Sequence, residues 1–83
     1  MKSLQIGGED LGVIRAKKTV DESRIWLTAK ADATWWVVVI GPDQKLRTVG
    51  FVRPPQEERA RETYDALISK PDVRAAFLEG RAS

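Results

Sequence analysis

Trp35-Trp36-Val37-Val38-Val39-Ile40 is the longest apolar run in the chain, and its composition limits what it can become. Six residues fall far short of the roughly 20 that cross a bilayer as a helix. Aromatic and β-branched side chains fit a pleated surface, so the run predicts a strand. Successive side chains of a strand point to opposite faces. Trp35, Val37 and Val39 therefore make one apolar stripe, and Trp36, Val38 and Ile40 make a second. A sheet with helices on one side has one buried and one solvated face. Both faces of this strand call for cover.

The flanking sequence places that strand in a meander. Arg24 to Ala31 alternates, with Ile25, Leu27 and Ala29 on one face and Trp26, Thr28 and Lys30 on the other. Gly41-Pro42-Asp43-Gln44 is a turn in which Pro42 presets φ at the first central position. Lys45 to Val52 returns as the hairpin partner, too close in sequence for a crossover connection, so the pair is antiparallel. Val49 and Phe51 share one face of it; Leu46 and Val52 share the other. Leu11 to Val20 is a loosely alternating, basic strand followed by the turn residues Asp21-Glu22-Ser23. Residues 1–10 hold Leu4-Gln5-Ile6, an edge strand or a tail, and the turn-forming Gly7-Gly8-Glu9-Asp10.

Pro54 and Pro55 end the sheet, because proline cannot donate to a ladder. Gln56 to Ser69 then predicts a long helix: Glu57 and Glu58 suit its positive N-terminal end, and Ala60, Tyr64, Leu67 and Ile68 form an apolar stripe. A short second helix has Pro71 near its start and Gly80 just past its end, with Val73, Ala76 and Phe77 facing inward. The expected fold is a single α+β domain over residues 1–83. A three- to four-stranded antiparallel β-meander spans 11–53, and one long and one short C-terminal helix across 55–80 pack on one sheet face.

Side-chain inventory argues for binding rather than catalysis. The chain has no cysteine and no histidine, which excludes disulfides, the usual zinc ligand sets, and histidine-dependent nucleophilic triads. No Gly-x-x-x-x-Gly-Lys loop or dinucleotide fingerprint occurs. The acidic pairs Glu9-Asp10 and Asp21-Glu22 belong to turns, and Glu57-Glu58 opens a helix, so local structure accounts for each. We therefore expect a non-enzymatic protein with no cofactor and no metal. Fourteen basic residues against twelve acidic ones give a net charge of +2, which favours solubility without demanding a nucleic-acid partner. Residues 1–8 lack the apolar stretch of a signal peptide, which sets the expectation of a soluble cytoplasmic protein with no membrane partner.

Two explanations compete for the second apolar stripe, which Trp26 extends onto the neighbouring strand. Either the N-terminal segment or the short C-terminal helix folds over it, or a partner covers it. The second is preferred, because contiguous exposed apolar area usually marks an interface and tryptophan dominates many of them. Since the pattern does not decide which face of the strand is core, the expected partner-binding residues come from both: Trp26, Trp35, Val37, Val39 and Phe51. They would serve a homodimer or a subunit docking on a larger protein, as a small phage- or plasmid-encoded adaptor or inhibitor would. The alternative is a nucleic-acid-binding sheet face using Arg15, Lys17, Lys18 and Arg47 around an exposed tryptophan.

Overall fold

The computed structural model describes residues 2–80. Five strands form one antiparallel meander in sequence order: β1 (Ser3–Ile6), β2 (Glu9–Val20), β3 (Ser23–Ala29), β4 (Trp35–Ile40) and β5 (Leu46–Phe51). Two helices follow, α1 (Gln56–Ser69) and α2 (Pro71–Leu78), and pack on one sheet face. The sheet has five strands where three to four were expected, because residues 3–6 pair with β2 as an edge strand. β4 and both helices lie where the apolar patterning puts them, but on α2 Val73, expected to face inward, is 38% exposed and Arg74 is buried instead.

The helix side is sealed conventionally. Ile25 and Leu27 of β3 and Val37 and Val39 of β4 meet Ala60, Tyr64 and Leu67 of α1 in one buried cluster. Trp35, Phe51, Phe77 and Leu78 close its margins. Pro71 supplies the fixed φ of the first turn of α2. Burial in this cluster raises the Tyr64 hydroxyl above its ordinary pKa of 10.0, with the Asp65 charge adding to the shift.

The opposite face carries a second core. Trp26, Val38 and Ile40 are buried there against Leu4 and Leu11, with Ile6 and Ile14 packed at the rim. The cover comes from the β1–β2 hairpin, which curls over because β2 is bent twice. Its pairing with β1 slips a residue between Ser3 and Gln5, and its pairing with β3 slips between Ile14 and Ala16. Such bulges bend a strand and re-aim its side chains. Gly12 sits at the first bend with φ +107°, and a Cβ there would stand 3.0 Å from the Ala29 carbonyl oxygen. That crowding and the positive φ together demand glycine. The Gly12 amide donates to Asp10 Oδ1, and the Thr28 hydroxyl donates to the Leu11 carbonyl oxygen at 2.8 Å, tying the hairpin to β3.

This second core corrects the expectation of a partner-covered face. Val37, Val38 and Val39 have no exposed surface, and Trp26 keeps only 5% of its own. Both stripes of β4 are satisfied within one protomer. Trp26, Val37 and Val39 are core residues, and Trp35 and Phe51 are half-buried against the α1 cluster.

Candidate partner-binding edge

A meander leaves two sheet edges, and here they differ. β1 is short and its pairing is bulged, two features that blunt an edge against further strand addition. β5 is six residues long and pairs with β4 in unbroken register from Trp35↔Phe51 to Ile40↔Leu46. Its outer side has no strand beside it.

The residues of β5 alternate in role. Arg47, Val49 and Phe51 are half-buried on the helix side, whereas Leu46, Thr48 and Gly50 are exposed on the other. The β1–β2 hairpin covers Trp26, Val38 and Ile40 on that face, and Leu46, opposite Ile40, is not in the cluster. Leu46 remains 42% exposed, and Val52, just past the strand, 63%. Apart from Val73 on α2, these are the exposed large apolar side chains among the described residues.

Trp36 braces this edge from within. It pairs with Gly50 across the β4–β5 ladder, and its ring lies so close that a Cβ on Gly50 would meet it at 2.7 Å. Its indole N–H donates to Thr34 Oγ1 at 2.9 Å, and the Lys30 ammonium stands 4.5 Å from its ring centroid. The Thr34 hydroxyl and amide both donate to Asp32, whose carboxyl lies below its ordinary pKa for that reason first.

Below Leu46, Asp43 folds back on Arg47. Two guanidinium N–H groups reach its two carboxylate oxygens at 2.9 and 3.2 Å, and the Lys45 amide donates to the same group. The Arg47 hydrogen bonds hold the Asp43 carboxyl down at about 2. Arg47 also donates to the Leu78 carbonyl oxygen at 2.7 Å, so it fastens the end of α2 to β5.

The basic residues expected to gather around a tryptophan do not share one surface. Strand alternation sends Lys17 to the Trp26 side and Lys18 to the helix side. Arg15, at the second bulge, stacks on Trp35 at 5.6 Å with Arg61 on the same ring at 5.4 Å. Arg47 is committed to Asp43 and α2. Arg24 and Lys17 both approach Trp26, at 5.9 and 5.8 Å. Each tryptophan thus has a cationic neighbour, an arrangement that contributes about 0.5–1 kcal/mol at exposed sites. The Lys17–Trp26 pair is legible from strand register, whereas Arg61 on Trp35 needed the helix docked and had no local signal.

The surface grooves are open ones. One runs along Ser3, Asp10, Gly12 and Lys30, and another between Trp35 and the start of α1 at Pro55 and Gln56. Among the described residues no group of three or more carboxylates could hold a metal ion, and no helix is long and apolar enough to cross a membrane. Comparison with protein-family models, curated proteins and solved structures finds no match to the chain.

Proposed function

We propose that this protein is a non-enzymatic, cytoplasmic protein-interaction module that engages its partner along β5. The observation that carries the proposal is the contrast between sealed and open surfaces. Both faces of β4 are covered internally, while β5 offers an unpaired ladder flanked by Leu46 and Val52. A regular edge strand is a template for strand addition: main-chain hydrogen bonds supply affinity, and alternate side chains supply specificity. As a homodimer, or as a subunit docking on a larger protein in the manner of an adaptor or inhibitor, the domain would add its sheet to that of its partner.

Capture from host extract tests this when the wild-type chain is compared with Leu46→Lys/Val52→Lys and with Gln5→Lys on the β1 edge. Loss of a captured partner only with the β5 variant, at unchanged melting temperature, is the expected result. Equal capture by all three chains would refute it.

A second function, nucleic-acid binding, is favoured by one observation. Lys17, Arg24 and Lys30 all approach tryptophans of the same sheet face, Trp26 and Trp36. Its signature would be quenching of tryptophan fluorescence by single-stranded DNA that fades steeply with salt. Absence of quenching at about 50 mM salt would remove it.

A further inference from the structure

We propose that the partner of β5 is a second copy of this chain, joined β5 to β5 in antiparallel register about a two-fold axis at Val49. The inference rests on β5 being the binding edge and names what occupies it. In an antiparallel pair, residues directly opposite one another point to the same face. A symmetric pairing must therefore match residues of equal parity along the strand. Leu46 and Val52 have equal parity and lie three residues to either side of Val49. With Val49 opposite itself, Leu46 of each copy faces Val52 of the other, so both exposed apolar side chains of the edge are covered twice over. Thr48 then faces Gly50, and Arg47 faces Phe51.

Neighbouring symmetric registers do worse. Centring the pair on Thr48 sets Leu46 against Gly50 and Val52 against Gln44, outside the strand. Centring it on Gly50 sets Leu46 against Pro54, which has no amide to donate. Lys45 meets Arg53 at each end of the favoured register, a like-charge contact that confines pairing to residues 46–52 and keeps association weak. A single strand edge also places the interface at the small end of specific contacts, below roughly 1,200 Å². Assembly stops at two copies, because the outer edges of the combined sheet are the short, bulged β1 strands.

The absence of native cysteine gives a direct test. Residues directly opposite in an antiparallel pair have Cα atoms about 4.5–5.5 Å apart, within disulfide reach. Sedimentation equilibrium should show a monomer–dimer equilibrium, and Val49→Cys should form a covalent dimer on mild oxidation, whereas Thr48→Cys should not. Leu46→Glu alone and Val52→Lys alone should each weaken dimerisation roughly tenfold, and the double variant should restore it, because 46 faces 52 across the axis. A chain that stays monomeric up to about millimolar concentration overturns self-pairing. So does a dimer that cross-links through Thr48→Cys, or one whose double variant is not rescued. A monomer that still loses host-partner capture in the Leu46→Lys/Val52→Lys variant overturns only the identity of the partner; loss of neither association nor capture overturns the β5 edge itself.

Discussion

Arg74 of α2 reaches Asp21 in the β2–β3 turn, fifty-three positions earlier, with a charge-assisted hydrogen bond. The same guanidinium donates to the Leu67 and Ile68 carbonyl oxygens at 3.0 and 3.1 Å, so one buried side chain binds both helices to a hairpin turn. That turn needs support. It is a two-residue loop in which Asp21 and Glu22 both take positive φ, where Asn-Gly is the usual choice.

Arg74→Ala should therefore destabilise the fold by about 2–4 kcal/mol, since the helix carbonyl oxygens lose a charged donor and the turn loses its tether. Urea unfolding at neutral pH measures it. A change under about 0.5 kcal/mol, the range of an ordinary surface substitution, would mean the contacts are not made in solution.

Gly50→Ala tests the packing of Trp36 on β5. An added methyl would overlap the indole ring, so either Trp36 shifts or the β4–β5 ladder does, at an expected cost of about 1–3 kcal/mol. Trp36→Ala/Gly50→Ala should remove the clash, leaving a double variant more stable than the sum of the two single effects predicts. Additive effects would place the ring elsewhere.

Leu11→Ala probes the hairpin cover. Leu11 is 5% exposed and contributes to the second core without touching the helix-side cluster, so truncation should cost about 2–4 kcal/mol. Tryptophan fluorescence should shift to the red as Trp26 gains water. A variant as stable as the wild type would show that β1 and β2 do not close over Trp26 and Val38.

The Asp43–Arg47 pair predicts an acid dependence with a definite sign. A carboxyl depressed from 3.8 to about 2 binds fewer protons folded than unfolded, so its contribution is present above its unfolded pKa and fades as pH falls toward 2. Carboxyl chemical shifts should give an Asp43 midpoint near 2, and Asp43→Asn should remove that part of the acid dependence. A midpoint near 4 would mean that Arg47 does not hold Asp43.

Long-period patterns were legible in the sequence and curvature was not. The run 35–40, the stripe Ala60-Tyr64-Leu67-Ile68 and the bracketing of α2 by Pro71 and Gly80 each express a local rule, and each falls in its expected element. The fate of the second stripe depended instead on how β2 bends. Its trace is slight: Leu11 and Ile14 differ in parity yet both reach the second core, which a flat strand cannot arrange and one bent at Gly12 can. Read as one straight strand, residues 11–20 leave nothing to cover Trp26 and Val38. With the bend, Leu4, Leu11 and Ile14 reach them, and the uncovered surface moves from the face of β4 to the edge of β5. The basic cluster failed for a simpler reason, since adjacent residues 17 and 18 of a strand cannot share a face.

Residue-resolved amide hydrogen exchange on the dilute chain tests most directly the claim that β4 is closed on both faces within one protomer while β5 lies open. Val37, Val38 and Val39 should exchange only through global unfolding, and alternate amides of β5, those directed away from β4, should exchange orders of magnitude faster. Rapid exchange throughout β4, or uniform protection along β5 at a concentration where the chain is monomeric, would contradict it.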